Sequence, residues 1–321
     1  MNSSILKFIV KRIFFGILTL VAVSLLVFLV TQALPSDPAQ AILGREATPE
    51  SLAALRAEFG LDKSLPVQYT TWFKGVVSGD LGNSFATQMP ISEYIAPRIS
   101  ASFFLLLLAA VGSIPLSIIV GAYAALKRDK KFDTSSSLIS LVLAAMPEFV
   151  VGTILTIIFA TTIVQWLPAV TYLEPGSPPW SDLMGLTLPV LTLMISVTPY
   201  VARVMRAAMV EVLESDYIEM ARLKGISEES VLWRHALPNA IGPTLQVIAL
   251  NLAYLAGGVI IVERLFNFPG IGSALADAVR SRDMPVVQFL AMVIAAVYIT
   301  TNLLADIGTV LVTPRLRTRL K

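Results

Sequence analysis

The sequence predicts an all-α membrane protein with about six transmembrane helices, and three observations carry that reading. Residues of the AVILMFWYC set make up 55% of the chain, charged residues only 14%, and the mean hydropathy is +0.75. A soluble domain averages about a quarter charged residues, so a chain of 321 residues this poor in charge cannot cover a water-facing surface. Six apolar runs are long enough to cross about 30 Å of hydrocarbon, which takes roughly 20 residues. Lysine and arginine collect in alternate segments between those runs.

The expected spans are Ile13–Ala33, Ser102–Leu126, Ser136–Leu167, Leu186–Val204, Ala240–Val262 and Val286–Val312. The third and sixth exceed the required length, so tilt or extension beyond the bilayer is expected. The first begins near Lys7, Lys11 and Arg12 and is too long for a signal-peptide core. Gln32-Ala33-Leu34-Pro35 does not read as a small-residue cleavage site, so this span is expected to remain.

Orientation follows from the basic residues of short loops. With the N-terminus inside, the inside segments hold Lys7, Lys11 and Arg12; Lys127, Arg128, Lys130 and Lys131; Arg203, Arg206, Arg222, Lys224 and Arg234; and Arg315, Arg317, Arg319 and Lys321. The short outside loops hold only Arg264, Arg280 and Arg282. Both termini are therefore expected in the cytoplasm. The resulting plan is a tail with the first span (1–33), an outer segment (34–97), a transmembrane core (98–312) containing an inside loop at 211–238, and a C-terminal tail (313–321).

The outer segment is too patterned for a linker. Thr48-Pro49-Glu50 reads as an N-cap, an N1 proline and an early acid ahead of a helix ending near Gly60. A second short helix is expected after Leu65-Pro66.

The inside loop between the fourth and fifth spans is the most informative stretch. Asp216 is expected to cap a helix while Glu219 reaches back from three residues on, a capping-box arrangement. Gly225 sits where a left-handed residue would end that helix. Ser227 would cap the next, with Glu228 and Glu229 in its first turn favoured by the helix dipole, and Pro238 would stop it. Tyr217, Met220, Ala221 and Lys224 fall on one face at helical spacing. An amphipathic helix of this kind can lie on lipid headgroups. Glu211, Glu214, Asp216 and Glu219 argue against that, because no base accompanies them and the inner leaflet is anionic. A protein partner fits better.

The same loop carries a family resemblance. Glu219-Met-Ala221 followed by Gly225, then Leu237-Pro238, resembles the EAA-x3-G…LP signature of permease subunits in ATP-binding-cassette importers. Asp216-Tyr217, Ala221-Arg222-x-Lys224-Gly225 and His235-Ala236-Leu237-Pro238-Asn239-Ala240 are similar to the dipeptide/oligopeptide class, which also includes nickel and glutathione importers. So are Gly60-Leu61-Asp62-Lys63-x-Leu65-Pro66-x-Gln68-Tyr69 and Gly79-Asp80-Leu81-Gly82-x-Ser84 in the outer segment. Glu263-x-x-Phe266-x-x-Pro269-Gly270-x-Gly272 and Arg282-Asp283-x-Pro285 complete the set, and the outer segment resembles that of the B-type subunit. Departures are Pro35-Ser36-Asp37-Pro38 for the more usual Pro-Gly-Asp-Pro, Pro238 where the class often has Arg, and Thr313-Pro314-Arg315 for Asp-Pro-Arg.

The resemblance implies a type I importer permease fold and a transport subunit without catalysis of its own. It implies a second, different permease, two ATPase subunits and an extracytoplasmic substrate-binding protein as partners in a bacterial inner membrane. Cargo would be peptides, or else glutathione or nickel. ATPase-coupling residues would be Asp216, Tyr217, Glu219, Met220, Ala221, Lys224, Gly225, Leu237 and Pro238.

Other classes are less well supplied by the residues. The chain has no Gly-x4-Gly-Lys-[Ser/Thr] loop, so ATP and magnesium are expected on the partner subunits and no cofactor on this chain. It has no cysteine and one histidine, His235, which excludes thiolate and multi-histidine metal sites. An ion-coupled transporter would need intramembrane acids, of which only Glu148 and Asp306 are available. Glu148 reads either as a translocation-pathway group or as a structurally partnered one, and Asp306 as structural with a partner arginine. Ser113, Ser117 and Gly121, and Ala253 with Gly257, have small-xxx-small spacing that permits close helix packing. Gly82-Asn83-Ser84 superficially resembles a serine-protease elbow, with no histidine on that side of the membrane.

Overall fold

A computed structural model describes residues 3–33, 37–44, 47–174 and 176–312. The tail basic residues Arg315, Arg317, Arg319 and Lys321, the Thr313-Pro314-Arg315 sequence and the Leu34–Ser36 stretch lie outside the described residues. Helix α1 spans Ser3–Gln32, and short helices α2 (Pro38–Leu43), α3 (Pro49–Glu58) and α4 (Leu65–Ser78) form the outer segment. Then come α5 (Ile91–Leu126), α6 (Lys131–Ala145), α7 (Glu148–Thr156, continued by a π-turn at Ile157–Thr161) and α8 (Leu183–Leu213). Helices α9 (Asp216–Leu223), α10 (Glu228–Ser230), α11 (Leu237–Leu265), α12 (Ile271–Ser281) and α13 (Met284–Val312) complete the order.

Four stretches are straight, long and apolar enough to cross a membrane: Lys7–Gln32, Ile91–Leu126, Pro179–Leu213 and Met284–Gly308. With each of two bent pairs counted as one broken span, the described residues hold six candidate crossings. The expected third span is broken rather than continuous: α6 and α7 meet at 106° across Met146-Pro147. Pro147 has no N–H to continue the ladder, and the Tyr200 hydroxyl donates to the Ala144 carbonyl beside the break at 2.9 Å. The fifth span bends by 53° between Leu252 and Gly257, beside the Gly257-Gly258 pair, a common site of helix kinks.

The core lies between α5, α7, α8 and α11, where Leu105, Leu188, Leu193, Val201, Leu255 and Val259 are buried. Helices α5 and α8 approach closely along the expected small-residue stripe. Ser113 and Ser117 are buried, and a Cβ at Gly121 would meet the Ala202 carbonyl and Met205. Gly257 does not pack in this way: among the described residues nothing lies within 4 Å of a Cβ built there, and it faces a groove described below. The Ala253 side chain lies outside the description.

Helix α1 lies against α13, with Gly16 on Ile299, and Arg12 pairs with Asp306 at 3.0 Å, the structural pairing expected for that acid. On α1, Phe14, Leu18, Leu26 and Val30 remain exposed, as a lipid-facing helix requires. In the outer segment Thr48 caps α3 through Ser51 and α4 begins at Leu65, as the sequence predicts. Gln68 donates to the Lys63 carbonyl at 2.7 Å, and the Tyr69 hydroxyl bonds Ser24 of α1 at 2.8 Å. The Tyr69 bond, together with Gln32 of α1 donating to the Gln68 side chain at 2.9 Å, seats the segment on α1.

Candidate functional site

Helix α9 is short and closed at its C-terminal end. Its N-cap is Ser215, in extended geometry, so Asp216 is the first helical residue and the expected Asp216/Glu219 capping box does not form. Both acids remain in the first turn, where the helix dipole favours them. The other end matches expectation. Gly225 has φ +74°, its N–H bonds the Arg222 carbonyl at 2.9 Å, and the Ile226 N–H bonds the Ala221 carbonyl at 3.2 Å. These paired bonds satisfy carbonyls that would otherwise be orphaned at a helix end.

Ile218 and Ala221 turn inward, joining Met205, Met209, Val231 and Ala236 in a second apolar cluster. The expected grouping of Ala221 with Tyr217 and Met220 is therefore corrected: Ala221 faces the protein. The outward face is Tyr217 at 46% exposure, Met220 at 53% and Leu223 at 75%, with Lys224 beside them. Leu223 was missed in the sequence reading, although its spacing of three from Met220 places it there.

The next turn braces this helix. Arg222 pairs with Glu228 at 2.8 Å, Ser227 accepts from the Ser230 N–H, and the Tyr217 hydroxyl reaches the His235 carbonyl at 3.3 Å. Pro238 does not stop the helix. A π-turn at Val231–Ala236 runs directly into α11, with Leu237 and Pro238 in its first turn, where a missing N–H costs nothing. Two ion pairs tie the neighbouring elements together: Arg206 of α8 with the buried Asp133 of α6 at 2.5 Å, and Arg128 with Glu214.

At the opposite end of the bundle two buried carboxylates organise the loops. Glu263 is fully buried and accepts from the Ser102 hydroxyl and from the N–H groups of Gly272 at 2.7 Å and Ser273 at 3.2 Å. Ser102 in turn accepts from the Ile271 N–H at 2.9 Å. The carboxylate thus sits on the free N–H groups that begin α12. A Cβ at Gly270 or Gly272 would overlap it. Asp283 accepts from the Ser84 hydroxyl and the Phe85 N–H at 3.0 Å. Ser84 is therefore a structural partner and not a nucleophile.

Glu148 opens α7 directly after the break, is 6% exposed, and has one carboxylate oxygen that is buried without a hydrogen-bond partner. It packs against Gly258, just past the bend of α11, and both line a groove of 680 Å³ between α1, α7, α11 and α13. Among the described residues Glu148 has no basic side chain paired with it.

The described residues form a multi-pass helical bundle that presents a short amphipathic helix at one end. Residues 113–318 match the family described as binding-protein-dependent transport system inner membrane component, and residues 5–106 match its N-terminal companion. The chain belongs to this family: it is a permease subunit of an ATP-binding-cassette importer, whose ATP hydrolysis lies on partner subunits. It is similar to a probable peptide ABC transporter permease of Sinorhizobium fredii, 35% identical over 97% of this chain and 99% of the relative. A putative peptide transport system permease of Brucella abortus is 37% identical over 96% of the chain and 98% of the relative. A glutathione transport system permease of Salmonella typhi is 35% identical over 97% and 99%.

Proposed function

We propose that this chain forms half of the translocation pathway of a peptide importer and that α9 is the element through which ATPase movement reaches the pathway. The observation that carries this reading is the outward stripe of Tyr217, Met220 and Leu223 on a helix anchored from beneath by the buried Ile218 and Ala221. Three large apolar side chains exposed side by side on an otherwise polar turn fit a protein groove. A helix packed in this way passes displacement on as a unit, here into α8 and α11 through Ile218 and Ala221. Closure of the ATPases, with ATP and magnesium bound there, would then switch the pathway between two states.

The orientation follows from the basic residues: both termini and α9 face the cytoplasm, and the segment carrying α2–α4 faces outward. A second, different permease completes the pathway, two ATPase subunits engage from inside, and a substrate-binding protein delivers cargo from outside. Relatives named for peptides support a peptide cargo, and relatives named for glutathione keep that small peptide as the second reading. Glu148 would line the pathway.

The test is co-purification. Met220→Glu with Leu223→Glu places two charges in the apolar stripe without touching Ile218 or Ala221. The expected outcome is a membrane-inserted chain that retains the second permease but loses the ATPases and transport. Full ATPase retention would refute the docking role of α9.

A further inference from the structure

We propose that Glu148 is the pathway's binding site for a primary ammonium group, namely the free amino terminus of a transported peptide. The inference rests on the pathway and peptide readings above. Glu148 lies midway along the broken third span, at the point where two irregular helices meet. The α6–α7 break is on one side of it, and the bend of α11 at Leu252–Gly257 is on the other. Backbone irregularity at membrane depth is tolerated only where it is buried in protein or lines a cavity. Discontinuous helices that converge on a midplane cavity are how transporters place polar groups against cargo.

The groove itself has the composition of a ligand site. Its 680 Å³ falls within the range of small-molecule pockets, which are mostly apolar with a few placed polar groups. Tyr254, Tyr298 and Thr19 offer hydroxyls, Gly257 and Gly258 leave space, and among the described residues Glu148 is the one charged group lining it. A Cβ at Gly258 would occupy the carboxylate's position, so the glycine is what admits it. The exposed phenols of Tyr254 and Tyr298 border the opening.

The unpartnered oxygen selects the occupant. A buried carboxylate without a counter-charge is costly, and the cost is relieved by a cation that donates hydrogen bonds. Among the described residues no lysine or arginine lines the groove. Every unblocked peptide carries an ammonium group whatever its side chains, so one acid can serve cargo of varied sequence. The peptide's own carboxylate would be repelled, which sets its direction in the groove. A basic side chain from the second permease is the competing source of positive charge, and the experiment separates the two.

The complete importer is reconstituted in proteoliposomes with its second permease, ATPases and binding protein. A labelled mixture of di- and tripeptides with free amino termini serves as cargo. Glu148→Gln should assemble with the second permease in the wild-type ratio while uptake falls about tenfold or more. Glu148→Asp, which keeps the charge, should recover at least about a third of wild-type uptake. Uptake by Glu148→Gln within about twofold of an active wild type would overturn the ammonium site and leave the peptide reading standing. Loss of the second permease from Glu148→Gln would overturn it in favour of an interface. Equal inactivity of the Asp and Gln variants in intact complexes would also overturn it. A wild type that accumulates no peptide would overturn both readings together.

Discussion

The Ser84 hydroxyl donates to the Asp283 carboxylate across 199 residues of sequence, with both side chains buried. Asp283 also accepts from the Phe85 and Ala86 N–H groups, and Ser84 accepts from the Thr87 N–H at 2.9 Å. The loop that follows the outer helices is thereby tied to the start of α13, one of the membrane-crossing helices. Phe85 then stacks on Phe59 with ring centroids 3.8 Å apart, extending the tie to the end of α3. The outer segment is thus fastened at both ends, to α1 through Tyr69 and Gln68 and to α13 through Asp283.

Ser84→Ala is therefore expected to destabilise the outer segment by about 1–3 kcal/mol, the range for leaving a buried acceptor short of one donor. Limited proteolysis of the purified chain should cut between residues 37 and 90 faster than in wild type. An unchanged cleavage rate would mean that the two backbone donors to Asp283 suffice.

Glu263→Gln should be more damaging than its size suggests. The carboxylate accepts three hydrogen bonds in a fully buried site, whereas an amide must present an NH2 group to one of those donors. Hydrogen bonds to a charged group contribute about 1.5–3 kcal/mol each. The midpoint of thermal unfolding in detergent should fall, while Glu211→Gln, on the exposed flank of α8, should leave it unchanged.

Orientation can be read with a single thiol, because the chain has no cysteine. Glu229 is exposed on α10 and makes no capping bond, so Glu229→Cys disturbs little. An impermeant maleimide should label it only in inverted vesicles. Labelling from outside intact cells would reverse the topology proposed from the basic residues.

What the sequence disclosed was local chemistry. Thr48 before Pro49 and Gly225 after Lys224 could be read because a cap is set by residues a few positions apart. Asp216 was misplaced by one because Ser215 is an equally good cap, and the backbone is extended at the serine. The break at Met146-Pro147 was hidden in one apolar run, since hydropathy counts side chains and is blind to direction. The Ser84–Asp283 and Ser102–Glu263 ties join motifs that were each visible, but nothing in their spacing says which folds against which. Glu148 was noticed as an acid at membrane depth. Its lack of a partner and its contact with the α11 bend needed three dimensions.

The sharpest prediction concerns Gly225. Its φ of +74° lies in the left-handed region, and nothing stands within contact of the position a Cβ would take. The penalty for a side chain there is therefore backbone strain, about 1–2 kcal/mol, and not collision. Gly225→Val adds β-branching to that strain and favours letting the helix run on past Lys224. Running on would break the Gly225–Arg222 and Ile226–Ala221 bonds, shift Ile226 from the cluster beneath α9, and turn the Tyr217–Met220–Leu223 stripe away from its partner. The six spans hold their cores elsewhere and should insert normally. Gly225→Val should thus reach the membrane in wild-type amount yet lose most transport, through weakened ATPase retention or uncoupled hydrolysis. Gly225→Asn should keep most of it, since asparagine tolerates the left-handed region. Glu219→Ala should have little effect, because Glu219 makes no capping bond. Uptake and stimulated ATP hydrolysis in proteoliposomes, together with the ATPase that co-purifies, measure all three variants. Wild-type uptake by Gly225→Val would remove α9 as the coupling element.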